Sequence, residues 1–185
     1  MSRIPRANPT DLASDAAEQL RAAAPNRDRP LNLHAEMASA PAVLSAYMGL
    51  RKAIVDHGSL DPKTHTAIMF TVASLERCEY AQALNGNLLR RAGWNEDQIA
   101  TLGSVTEIDD RRLEALLAVV RAATTAGGRV ADGTWQAALD VGWTAAQLAD
   151  AYVSLSLAAF VDHFLAFAET TLDVPAPEPA ITPAT

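Results

Sequence analysis

Apolar residues recur at three- and four-residue spacing from about residue 41 to about residue 170, and no segment alternates apolar and polar positions with period two. This pattern predicts an all-α protein. The first long helix is expected over residues 41–56, with Val43, Ala46, Tyr47, Leu50 and Ile54 on one face, and His57-Gly58 as its stop. Asp61 then reads as an N-cap with Pro62 at the first helical position, opening a helix that carries Ala67, Ile68, Phe70, Val72 and Leu75. A further helix is expected over residues 78–92, ended by Gly93. Asn95 with Gln98 has the form of a capping box and opens a short helix to about Leu102. Residues 109–126 follow, with Leu113, Leu116, Leu117 and Val120 inward, until Gly127-Gly128 breaks the pattern. After a short helix over 132–140, Thr144 and Gln147 form a second capping box. They open the last long helix, to about Thr170.

The two ends read differently. Residues 1–30 carry prolines at 5, 9, 25 and 30, so that only 11–24 can form a helix, and the segment is expected to be an arm packing on a partner subunit. Residues 174–185 read VPAPEPAITPAT and are expected to be a flexible, proline-rich tail. A single helical domain is therefore expected over 31–173. Within it, Gly93-Trp94 and Gly142-Trp143 each stand between a helix stop and a capped helix start. They are either two similar turns with Trp over a helix end, or the trace of a duplicated helical unit.

Length and composition narrow the function. A chain of 185 residues, 49% hydrophobic and 20% charged, can bury a sizeable core and is not disordered as a whole. Its formal net charge of −7 argues against nucleic acid and anionic membrane as partners. No run reaches the roughly 18 apolar residues needed to cross a bilayer, and the N-terminus lacks a secretory pattern, so a cytoplasmic protein is expected. The one cysteine, Cys78, excludes an intramolecular disulfide, a cysteine zinc cluster and a dithiol cycle within one chain. The four histidines are isolated and Gly127-Gly128 lacks the context of a phosphate loop, so neither a metal nor a cofactor is expected.

Residues 60–93 read LDPKTHTAIMFTVASLERCEYAQALNGNLLRRAG. This segment resembles the core of the carboxymuconolactone decarboxylase and alkylhydroperoxidase-D-like (AhpD-like) family. Leu31-Asn32-Leu33-His34, Met37, Pro41 and Leu44 upstream look like the family's lead-in helix, and Ala92-Gly93-Trp94, His163 and Thr171-Leu172-Asp173 downstream look like its longer members. The resemblance implies a helical homo-oligomer. It also implies a relay in which a Glu and the His of a Cys-x-x-Cys-x-x-x-His motif activate a thiolate that reduces hydroperoxides. In this chain Thr66 stands at the Glu position, Cys78 is kept, Ala81 replaces the second Cys and Asn85 replaces the His. The surrounding pattern still implies the fold, but the degenerate motif does not carry the activity over.

The remaining chemistry is assigned from the residues. A helix over 78–92 places Cys78, Ala81, Gln82, Asn85 and Leu89 on one face. Cys78 beside Arg77 at a helix start favours a reactive thiol, whereas Glu76 and Glu79 oppose it, and a small buried side chain is the alternative role. Asn85 and Gln82 are candidates for orienting a substrate carbonyl or carboxylate, or simply polar residues on a partly exposed face. Tyr80 projects from another side of the helix, as a weak acid or as packing. His65, next to Thr66, and His163, spaced with Phe160 and Phe167 on an apolar face, are candidate acid–base groups, since imidazole titrates near about pH 6.5. The alternative for each is a structural hydrogen bond. His34 and His57 near helix ends are expected to be caps.

The expected function is that of a cofactor-independent enzyme with proton-transfer or lyase-type chemistry on a small organic substrate. Cys78, Asn85, His65 and His163 are its candidate catalytic residues, and Thr66, Tyr80, Ala81 and Gln82 its substrate-binding ones. The rival readings are a one-cysteine hydroperoxide reductase that uses Cys78 and an outside thiol, and a catalytically silent scaffold binding a ligand or partner.

Overall fold

The computed structural model describes residues 2–23 and 29–174, which form nine α-helices and one short 3-10 turn at Pro9–Asp11. In chain order the helices are α1 (Ser14–Ala23), α2 (Asn32–Ala38), α3 (Pro41–His57), α4 (Pro62–Leu75), α5 (Glu79–Arg91), α6 (Glu96–Gly103), α7 (Arg111–Thr125), α8 (Asp132–Asp140) and α9 (Ala145–Ala168). Local chemistry sets most of their starts. Asp61 accepts from the backbone N–H groups of Lys63 and Thr64, Asp110 from those of Arg112 and Leu113, and Asn95 and Thr144 each close a full capping box with the Gln three residues on.

Helix α4 is the central element, packed against α5, α7 and α9. It divides the interior into two apolar clusters. One is built on Ile68, Phe70, Leu116, Leu117 and Val120, the other on Leu20, Leu33, Leu44, Val161 and Leu165, and Met69 touches both. Helix α9 runs along both clusters, which explains its mean hydropathy of 1.5 over an 18-residue window. By length and composition this helix does meet the requirement for crossing a membrane, contrary to the sequence expectation, and half of that window is buried inside the bundle. The core face of α9 is made by Leu148, Ala151, Leu157, Val161 and Leu165. The Phe160–His163–Phe167 spacing falls on its other side, where His163 and Phe167 are exposed.

The boundary expected at residue 31 is not a structural one. The segment expected to reach a partner subunit packs on its own chain: Leu20 of α1 is buried, Arg3 N donates to Ala168 O at 2.8 Å, and Ala7 N donates to Ala35 O at 2.9 Å. The fully buried Glu36 carboxylate holds Arg6 Nε at 3.3 Å and accepts from the Thr170 hydroxyl at 2.5 Å, tying both ends of the chain to α2. Val174, assigned by sequence to the tail, is buried in the second cluster, and the rest of that tail, 175–185, lies outside the described residues.

The two Gly-Trp pairs form the same turn. Gly93 and Gly142 have φ of 86° and 93°, and the backbone N–H of the following Trp reaches back to Leu89 O at 3.1 Å and to Ala138 O at 3.1 Å. That is the Schellman closure, in which a residue in the left-handed region lets the next amide satisfy an orphan helix carbonyl. Both tryptophans are buried in the first cluster.

Candidate functional site

The turn between α4 and α5 decides where the cysteine goes. Arg77, with φ of 56°, takes the left-handed position that glycine usually fills, and Cys78 N donates to Ala73 O at 2.9 Å in another Schellman closure. Helix α5 therefore starts at Glu79, and Cys78 is its N-cap in extended backbone, φ −85° and ψ 93°. An N-cap side chain does not follow the helical grid. The thiol is thus not aligned with Ala81 and Asn85 as the sequence expectation had it.

Cys78 faces Asp162 of α9. The Asp162 carboxyl is 3% exposed, and its Oδ2 has no hydrogen-bond partner among the described residues. Burial and the neighbouring carboxylate push the Cys78 thiol up to about 12, and burial, with Glu76 adding to it, pushes Asp162 up to about 7. Such a thiol is almost wholly protonated at neutral pH and is a poor nucleophile. The exposed His163 Nε2 stands 3.6 Å from Glu76 Oε2, outside this pair.

The opposite side of α5 looks onto a cavity of about 900 Å³. Thr66, Ala81 and Asn85 all line it, so three of the four positions of the motif surround one space, and Cys78 is not among its lining residues. The Thr66 hydroxyl is engaged with Pro62 O at 2.8 Å, one turn back on its own helix. Asn85 is buried at the cavity wall and makes no hydrogen bond among the described residues, which leaves its amide available as donor and acceptor. Gln82 is turned elsewhere, its Nε2 donating to Ala73 O at 3.2 Å. Tyr80 is buried in the second cluster with its hydroxyl donating to Asp173 Oδ1 at 2.5 Å, and neither residue lines the cavity.

His65 does line it. Its Nδ1 lies 2.9 Å from Ser154 Oγ on α9, and burial, followed by the positive charge of Arg51, holds its pKa below the usual imidazole value. The ring is accordingly neutral at pH 7 and able to accept a proton. Sequence reasoning missed three other lining groups. His34 Nε2 is 3.0 Å from the Tyr47 hydroxyl, so this residue is a buried interior partner on α2 and not a cap. Arg51 stacks its guanidinium 5.5 Å from the Tyr47 ring centroid and donates from Nη1 to Ala23 O at 2.9 Å. The four-residue spacing of Tyr47 and Arg51 was the available signal, because it puts both on one stripe of α3. The body of the cavity is apolar, with Leu33, Ile54, Met69, Leu84, Leu157 and Val161.

A second groove, of about 480 Å³, lies at the Gly-Trp turns. Its cations are already committed: Lys63 Nζ sits 5.1 Å from the Trp94 ring centroid and Arg112 is 4.1 Å from that of Trp143. Of its four carboxylates, Asp61 and Asp110 are helix caps. The acid–base groups belong to the larger cavity. Among the described residues no cluster of His, Cys, Asp and Glu is suited to a metal ion.

Residues 41–119 match the carboxymuconolactone decarboxylase family. No curated protein matches the sequence. Among solved structures the chain is similar to an alkylhydroperoxidase AhpD core, an uncharacterized peroxidase-related protein from Ralstonia eutropha JMP134, with a TM-score of 0.82 at 16% identity over 93% of this chain and 92% of that one. A peroxidase-related protein from Silicibacter sp. TM1040 gives a TM-score of 0.76 at 15% identity, over 91% of this chain and 89% of that one. The debrominase Bmp8 gives 0.78 at 15% identity, over 94% and 93%. At such identities the likeness shows the shared helical fold. The family match over 41–119 and the residue pattern of 60–93 give this segment the signature of the carboxymuconolactone decarboxylase family, on a helical fold shared with AhpD-like structures.

Proposed function

We propose that the cavity between α3, α4, α5 and α9 is the active site of a cofactor-independent enzyme that moves a proton on a small organic substrate. His65 is the base. Its Nδ1 is occupied by Ser154, which leaves Nε2 to take a proton from the substrate, and the depressed pKa keeps the ring ready to do so at neutral pH. Asn85 donates to the oxygen on which negative charge develops, a role for which an otherwise unpartnered amide in a largely apolar cavity is suited. The observation that carries this reading is the meeting of His65 and Asn85 at one cavity of about 900 Å³, a volume within the usual range for small-molecule sites. A Cys-to-Ala variant of the debrominase Bmp8 forms a complex with 2,3,4-tribromopyrrole, which supports a role for this fold in holding a small ring compound.

The hydroperoxide-reductase reading is less well supported. It needs a thiolate, and Cys78 is held protonated beside Asp162.

The test is solvent deuterium uptake, followed by NMR, into a panel of small carbonyl compounds and organic acids. Uptake should climb with the neutral fraction of His65 and be level through pH 7, and His65→Gln should lower it by about 10²-fold or more. Uptake that persists in His65→Gln would exclude His65 as the base.

A further inference from the structure

The chain carries a net charge of −7, yet the side chains lining the large cavity include Arg51, Arg90 and Arg91, together with His34 and His65, and no Asp or Glu among the described residues. The three arginines are not equivalent. Arg90 is committed to Glu96, with Nε to Oε1 at 2.7 Å and Nη2 to Oε2 at 2.9 Å, and Arg91 is exposed at the rim. Arg51 lines the cavity against the Tyr47 ring. It is half-buried, spends Nη1 on Ala23 O, and has no carboxylate partner among the described residues.

A half-buried guanidinium without a counter-charge among the described residues costs free energy, since burial penalises an uncompensated charge. We propose that the missing counter-charge is the ligand: the cavity binds an amphipathic organic monoanion, its carboxylate on Arg51 and its apolar body among Ile54, Met69, Leu84 and Leu157. A single guanidinium with one nitrogen already engaged matches one planar carboxylate and is poorly matched to a dianionic phosphate, which recruits several donors. The Tyr47 hydroxyl, paired with His34 Nε2 at 3.0 Å, accepts from Arg51 Nη1 at 3.5 Å and steadies the guanidinium at that point. The Arg51 charge already lowers the basicity of His65, so an anion seated on Arg51 makes that imidazole a stronger base. The substrate thereby tunes its own catalyst.

This inference rests on the cavity being the working site, and its test separates the two. Calorimetric titration of the full-length protein at low salt with benzoate against benzamide, and with octanoate against octanol, measures the charge preference alone. The carboxylate of each pair should bind at least about tenfold more tightly than its neutral mate, Arg51→Gln should abolish the difference, and Arg51→Lys should keep part of it. His65→Gln should leave the preference in place even if the role of His65 as base is wrong. A measurement on the unaltered protein covers the case in which Arg51→Gln does not fold: saturation with benzoate should raise the His65 pKa seen by proton NMR. Equal affinity for charged and neutral mates, absence of saturable carboxylate binding, a preference that survives Arg51→Gln, or an unmoved His65 titration would each overturn the proposal.

Discussion

The two sides of helix α5 use polar groups in opposite ways. Toward α9 it begins with a thiol set against a buried carboxyl: burial raises both pKa values, Asp162 raises that of Cys78 further, and the Cys78 hydrogen bond offsets only part of the rise at Asp162. Toward α3 and α4 it presents Ala81 and Asn85 to an open space shared with a neutral imidazole and a guanidinium that has no carboxylate partner among the described residues. In the first region burial silences the chemistry. In the second the groups keep their hydrogen-bonding capacity because a cavity, not a side chain, lies in front of them. The lesson is that a retained cysteine is not by itself the retained function.

The largest expected effect is on the thiol. With its pKa pushed up to about 12, well above that of an ordinary thiol, Cys78 should react with iodoacetamide at pH 8 about 10³-fold more slowly than an ordinary thiol, as followed by mass spectrometry. Alkylation at the ordinary rate would erase the contrast between the two sides. The next effect is on stability. Asp162 has a folded pKa of about 7 against the ordinary carboxyl value of about 3.9 in the unfolded chain, so between these limits the unfolded chain ionises while the folded protein keeps its proton. Stability therefore falls as pH rises through that window, and the full penalty is present above pH 7. Asp162→Asn removes it and should stabilise the protein at pH 8 by roughly 3–4 kcal/mol relative to the parent, with little gain at pH 4, in urea denaturation at the two pH values.

The cavity side should behave in the reverse way. Asn85→Leu removes a polar side chain with no partner among the described residues, so folding stability should change by less than about 1 kcal/mol, or rise, while deuterium uptake falls by about 10²-fold. A variant destabilised by several kcal/mol would show Asn85 to be structural. The smallest effect concerns the turn that sets the two sides apart. Arg77→Gly relieves a left-handed backbone in a residue with a side chain and should stabilise by about 1 kcal/mol in thermal unfolding, leaving the slow alkylation of Cys78 unchanged.

What the sequence made legible follows from the range of the forces involved. Helix caps such as Asp61, Asn95 and Thr144 act over three residues, so their chemistry is written next to the structure it makes. His65 and Asn85 were legible as candidates because they lie near or on motif positions. Cys78 was misplaced because a helix drawn from residue 78 puts it in line with Asn85, whereas the left-handed Arg77 starts the helix one residue later and leaves the thiol off the grid. His163 was misplaced because only Phe160 of the aromatic spacing packs against the core, whereas Phe167 is exposed with it. Arg51 with Ala23, His34 with Tyr47, and Cys78 with Asp162 join different helices, and no local spacing announces such pairs.

The central claim is that catalysis belongs to the cavity and not to the thiol. The most direct measurement is deuterium uptake or turnover of one substrate by Cys78→Ala beside His65→Gln. The account expects Cys78→Ala to retain the parental rate within about twofold and His65→Gln to lose about 10²-fold or more. An inactive Cys78→Ala beside an active His65→Gln would contradict it.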